Sequence, residues 1–147
     1  MASVLLNELK RAVMAGEVDL DAHDIRARLV MINTTCDTEN DAIVTISNYT
    51  TPDKSDASGY ADQALGSKAV TKIDATDRSK FSSASVVFSG LGGNATRNYQ
   101  GILLYKYVSG VDAGDLALAY IDFTTPIVKE ATQVTVPCPT DGWFYLN

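Results

Sequence analysis

Two stretches, Ile102-Leu103-Leu104-Tyr105-Lys106-Tyr107-Val108 and Leu116-Ala117-Leu118-Ala119-Tyr120-Ile121-Asp122-Phe123, carry apolar side chains at successive positions. Successive residues of a strand point to opposite sides of its sheet, so a strand that is apolar on both sides belongs in a sheet interior with both faces covered. One cover would be a second sheet, the other a helix or another subunit. Lys106 and Asp122 then need each other, or solvent, because a buried unpaired charge is costly.

Upstream, the run Asp24-Ile25-Arg26-Ala27-Arg28-Leu29-Val30-Met31-Ile32 alternates. Ile25, Ala27, Leu29 and Met31 share one face, while Arg26 and Arg28 point the other way, which predicts a half-buried strand. Further strands are expected near 61–73, 78–81, 84–89, 99–108, 116–123, 132–136 and 142–146. The turn chemistry of Asp74-Ala75-Thr76-Asp77, Gly90-Leu91-Gly92-Gly93-Asn94 and Ser109-Gly110-Val111-Asp112-Ala113-Gly114 separates several of them. Short strands in series, with no helical periods between them, predict a mainly β fold: an antiparallel β-sandwich or barrel-like domain.

One segment breaks this period. Over residues 3–15, Leu5, Leu9, Ala12 and Val13 recur at helical spacing, with Glu8, Lys10 and Arg11 on the other side. Ser3 is the expected cap and Gly16 the left-handed stop. So short a helix must dock its apolar stripe, either on its own sheet or on a neighbouring subunit. Residues 33–60 read as a long polar loop with one apolar island at 42–46. A loop of that length in a small domain points to contact with a partner.

The chain of 147 residues suits a single domain, 1–147, with 46% hydrophobic and 20% charged residues. No apolar run approaches the roughly 18 residues that would span a bilayer, so no membrane association is expected. The start, Met1-Ala2-Ser3-Val4-Leu5-Leu6-Asn7-Glu8, reaches an acid too early for a signal peptide, which predicts a protein made and used in the cytoplasm or packaged from it. A net charge of −6, and a basic pair Arg26/Arg28 diluted by Asp19, Asp21 and Asp24, argue against nucleic-acid binding.

Chemistry-bearing motifs are sparse. Cys36 and Cys138 stand 102 residues apart and read as two buried free thiols, and no ligand set for zinc exists. The lone histidine, His23, reads as a solvated turn residue. The Asp37, Glu39, Asp41 cluster lacks the glycine and the closing bidentate acid of a calcium loop, so it reads as an ordinary acidic loop. Gly90-Leu91-Gly92-Gly93 has no helix behind it and reads as a turn, not a phosphate cradle. Catalytic, metal and cofactor residues are therefore assigned as none. The aromatics Tyr99, Tyr105, Tyr107, Tyr120, Trp143, Phe144 and Tyr145 could stack sugars or bases, but core and subunit-interface packing explains them at least as well. Candidate interface residues are Leu5, Leu9, Val13, Tyr49, Tyr60, Tyr105, Tyr107 and Trp143.

The order of segments carries a resemblance. A short helix precedes residues 24–31, and a polar loop ending in Gly59-Tyr60 leads to Leu65-Gly66-Ser67-Lys68-Ala69-Val70. Asp77-Arg78-Ser79-Lys80-Phe81, Val86-Val87-Phe88, Gly101-Ile102-Leu103-Leu104-Tyr105-Lys106 and Ala119-Tyr120-Ile121-Asp122-Phe123 follow, before a closing Gly142-Trp143-Phe144-Tyr145-Leu146. This resembles a family of small structural proteins of tailed bacteriophages, among them capsid cement (decoration) proteins. The resemblance implies a virion protein assembled in the host cytoplasm, a homotrimer partnered with the major capsid protein, with the helix and residues 34–60 as contact elements. It implies no cofactor and no catalytic residue. A tail or neck component and a carbohydrate-binding attachment module are the alternatives. Pro137-Cys138-Pro139 departs from the plainer strand of that pattern and marks the last hairpin as an edge.

Overall fold

The computed structural model describes residues 3–147, so the signal-peptide reading at Met1 and Ala2 falls outside the described residues. The chain is mainly β, with antiparallel sheets and one short amino-terminal helix. In chain order the elements are β1 (Val4–Leu5), α1 (Asn7–Met14), β2 (Ile25–Met31), β3 (Gln63–Ala64), β4 (Ala69–Ile73), β5 (Arg78–Ser82), β6 (Val86–Phe88), β7 (Tyr99–Lys106), β8 (Leu116–Ile127), β9 (Val134–Val136) and β10 (Phe144–Leu146). They form an open five-stranded sheet in the order β1-β8-β7-β2-β3, a three-stranded sheet β10-β5-β4 and a ribbon β6-β9.

The doubly apolar strands are β7 and β8, and they occupy the middle of the large sheet. β7 is buried from Tyr99 to Tyr105, pairing with β2 on one side and β8 on the other. One face of this sheet packs Ile25, Ala27, Leu29, Ile102, Leu104 and Leu118 against Leu9 and Ala12 of α1 and against Phe81, Val86, Phe88, Val134 and Val136 of the smaller sheets. The arrangement is sandwich-like. The opposite face packs Val30, Leu103, Tyr105, Ala117 and Tyr120 against Leu6 and against Cys36, Ile43, Ile46 and Tyr49.

That second cover is the finding the sequence reading did not contain. The long polar segment folds back over the sheet and turns its apolar residues inward. Backbone pairing holds it: Met31 N–H donates to Asp53 O (2.8 Å) and Ser55 N–H to Leu29 O (2.9 Å), while Ile46 N–H reaches Asp115 O (3.1 Å) and Ala117 N–H reaches Val44 O (3.1 Å). A 3₁₀ turn at Ile46–Asn48 is closed by Asn48 Oδ1, which accepts from Thr45 N–H (2.8 Å) and Val44 N–H (3.1 Å). Both faces of the sheet are therefore covered within one chain, by helix and small sheets on one side and by the loop on the other.

Several expectations need correction. The helix starts at Asn7, not Ser3, because Val4–Leu5 adds an edge strand to β8. Ser3 Oγ accepts from Asp122 N–H (3.0 Å), and Asn40 Oδ1 supplies the bond to Asn7 N–H (3.0 Å). Gly16 does adopt the left-handed stop, at φ 71°. The strand at 61–73 is two strands separated at Leu65-Gly66-Ser67-Lys68, where Ser67 takes a positive φ. β8 continues beyond Phe123 to Ile127. β2 is buried on both faces and not half-buried, Arg28 included. Lys106 and Asp122 do not meet: Lys106 Nζ donates to Glu17 O (2.7 Å), whereas Asp122 accepts from Gln100 Nε2 (2.8 Å) and Tyr120 (3.1 Å). Finally, β9 and β10 form no hairpin. β9 pairs with β6 and stops before Pro137, and β10 pairs with β5, so the proline pair bridges two sheets.

Candidate functional site

The predicted interface residues divide by location. Leu9, Tyr49, Tyr105 and Trp143 are buried in the two cores and are closed to any partner, which corrects their assignment as contact residues. Leu5, Val13, Tyr60 and Tyr107 are half-buried. Leu5 and Val13 join Lys10, Met14, Tyr145 and Leu146 in lining an open groove of about 450 Å³ between α1 and β10. Met14 is the most exposed apolar residue there, at 89%. Tyr107 is roofed by Arg26, whose guanidinium carbon sits 3.7 Å from the ring centre. Tyr60 stacks on Phe88 (6.0 Å between centroids).

Beneath the covering loop lies a buried polar network centred on Arg28 and Asp62. Asp62 accepts from Arg28 Nε (3.1 Å) and from Tyr105 OH (2.8 Å), and Tyr60 OH donates to its second oxygen. The Tyr60 oxygen in turn accepts from Leu29 N–H (2.8 Å). Arg28 Nη2 also reaches Asp112 (2.8 Å), while Nη1 is buried without a partner. Burial, reinforced by the neighbouring Asp62, pushes both phenols above their ordinary range. They stay protonated and donate. Arg28 itself stays charged: desolvation opposes its charge, and the two carboxylates outweigh it. The network ties β2 to the segment at 60–62 and to the turn after β7. That turn is held a second time by Asp115, whose Oδ1 accepts from the N–H groups of Val108 (2.8 Å), Ser109 (3.0 Å) and Gly110 (3.2 Å).

The remaining reactive side chains are also engaged in structure. Cys36 is buried among apolar neighbours, and that burial pushes its thiol up to about 12. The Tyr49 hydroxyl lies near this thiol without hydrogen-bond geometry and is buried without a partner. Cys138 is half-buried at the surface, not fully buried as expected. His23 closes its own turn, with Nδ1 accepting from Asp19 N–H (2.9 Å). Glu39 accepts from Thr35 Oγ1 (2.9 Å) and Thr50 N–H (2.9 Å), and these bonds hold its carboxyl below the usual range. Among the described residues no three His, Cys, Asp or Glu side chains converge as a cation site would require.

The least covered of the three sheets is the three-stranded one. Val70, Thr71 and Lys72 of β4 are exposed, and the turn at Asp74–Thr76 projects beyond them. The register Val70↔Phe81, Thr71↔Lys80 and Ile73↔Arg78 places Thr71, Ile73, Arg78 and Lys80 on the outward face, with Tyr145 beside Lys80. Phe81, on the other face, anchors the sheet to the core and meets Phe144 at 5.3 Å between centroids. No protein-family profile, curated protein or solved structure matches this chain. The sequence reading missed two features. The Arg28–Asp62 pairing joins residues 34 apart and leaves no local signal. The basic density of β4–β5 could have been counted directly from the sequence.

Proposed function

We propose that this protein is a structural component of a tailed-bacteriophage particle, a non-enzymatic cement protein that bridges and stabilises major capsid subunits and assembles as a homotrimer. The observation that carries the reading is the contrast between a body sealed on both sheet faces and a cationic three-stranded sheet left exposed at its side. Such a body resists opening, and its exposed elements are free for contacts. Contact to the shell would come from the outward sides of residues 34–60 and of α1, where Ser47, Asn48, Thr50, Lys54, Lys10 and Met14 are exposed. Many weak copies on a shell add their energies, so a modest contact suffices.

Burial of the aromatic rings weighs against the carbohydrate alternative. Tyr99 and Tyr120 are 0% exposed, and Tyr105 and Trp143 are nearly so, which leaves no row of free rings to stack on a sugar. No described helix is long and apolar enough to cross a membrane. Quantitative proteomics of purified particles tests the proposal: the protein should be present at a copy number comparable to the major capsid protein. Absence from the particle defeats the virion reading. Presence at a few copies replaces cement with a tail or neck role.

A further inference from the structure

We infer that the β4–β5 hairpin of one copy packs head to tail against the acidic segment 37–44 of a second copy. The inference builds on the self-assembly part of the reading above; location in a particle plays no part in it. Lys68, Lys72, Arg78 and Lys80 against Asp74 and Asp77 give residues 68–82 a net charge of +2, in a chain whose net charge is −6. Elsewhere the arginines are matched within the chain: Arg11 by Glu8 and Glu17, Arg26 by Asp24, Arg28 by Asp62 and Asp112, and Arg97 by Asp53. On the hairpin the sole ion pair joins Lys72 to the hairpin's own Asp74 (2.6 Å). Arg78 and Lys80 are held in place by uncharged partners, the Tyr145 ring (5.1 Å) and Thr140 O (3.0 Å). Positioned cations without anions mark a surface built for an acidic partner.

The same molecule carries the complement. Asp37 and Asp41 pair with no described cation, and Asp41 and Glu39 line a shallow depression with Thr38, Asn40, Ile43 and Thr50, next to Asp37 in sequence. Val44, 45% exposed, supplies an apolar neighbour for the half-exposed Ile73 of the hairpin. A single copy cannot close this contact on itself. Asn7, at the start of α1, holds Asn40, while Val13 and Gly16 at the other end of the helix share a depression with Val70 and Ser79 of the hairpin. The eight-residue helix between them spans about 12 Å. Asp19 and Asp21, among the further acids without an ion pair, line that same depression beside Val70 and Ser79. A contact between two different surfaces is heterologous, so it closes into a ring, a trimer included, or continues as a chain.

The test is sedimentation velocity on the full-length protein across concentration and salt, with circular dichroism to confirm that each variant folds. The wild type should self-associate, less so as salt rises. Arg78→Glu with Lys80→Glu, the two cations that share the outward face, should weaken association by about tenfold, since each rim pair is worth up to about fivefold and reversal adds repulsion. Asp37→Lys with Asp41→Lys should do the same, and the fourfold variant carrying all of these changes should associate again. A wild type that stays monomeric at low salt overturns the inference, as does association that ignores both reversals or a fourfold variant that stays apart. A monomeric protein nonetheless abundant on particles sinks this contact and the homotrimer with it, and leaves the cement role standing. A salt-sensitive oligomer absent from particles sinks the cement reading alone.

Discussion

The five-stranded and three-stranded sheets differ in what covers them as well as in strand length, 7 to 12 residues for the central strands of the first against 3 to 5 for the second. In the large sheet, Leu103 and Tyr120 face a loop, and Ile102 and Leu104 face a helix and two smaller sheets. In the small sheet, Phe81 alone is fully buried, and Val70 remains 47% exposed. The large sheet draws its stability from burial on two sides. The small one hangs from Phe81, with Phe144 beside it, and from β-pairing, and its outward face is left for charge.

Conditions and mutations can break or sharpen this contrast. The largest effect should be alkaline. Burial raises Tyr49, Tyr60, Tyr105 and Tyr120, with nearby Asp62 adding to Tyr60 and Tyr105 and Asp122 to Tyr120. A raised folded-state value means the stabilisation is whole below the unfolded tyrosine value of about 10 and is lost as pH climbs through the folded value. Unfolding should therefore set in above about pH 10, with tyrosinate absorbance rising together with the loss of β circular dichroism. Tyrosinate appearing well before the fold is lost would show that the cover over these rings opens locally.

Within the large sheet, Leu103→Ala should cost about 3–4 kcal/mol, because neither face can collapse into the void, as measured by urea denaturation. Arg28→Ala should cost about 3 kcal/mol by stranding the buried Asp62 carboxylate, and Arg28→Lys should recover only part of it. Tyr49→Phe should be neutral or stabilise by up to about 1 kcal/mol, since the hydroxyl it removes is buried without a partner. Smallest of all, Thr71→Ala on the outward face of the hairpin should stay within about 0.5 kcal/mol. A cost above about 2 kcal/mol there would mean that the hairpin face is packed, and the contrast between the two sheets would fail.

The central strands were legible because each carries its own evidence: an unbroken apolar run reads as an interior strand whatever covers it. The turn at Asp74–Thr76 and the stop at Gly16 were legible for the same local reason. The cover supplied by residues 33–60 was not. Its inward residues, Cys36, Ile43, Ile46 and Tyr49, are spaced irregularly, because the segment follows the contour of the sheet and keeps no period of its own. That miss led to Arg28 being read as a solvent-facing residue and to the excess apolar surface being assigned to a partner. The candidate surface fared similarly. Half of the proposed contact residues proved to be core, since a large apolar or aromatic side chain looks the same in sequence whether another chain or the same chain covers it.

The pairing of β2 with β7 has a consequence for synthesis. β2 ends at Met31, and its partner begins only at Tyr99. A ribosome adding about 5–20 residues per second therefore leaves β2 without its neighbour for several seconds. During that interval residues 33–60 have no sheet to cover, so the apolar side of the nascent chain stays open to chaperones and to other copies emerging from the same messenger. Folding must wait until the second half of the chain has left the tunnel, and growth temperature and translation rate should govern the soluble yield more strongly than final stability does.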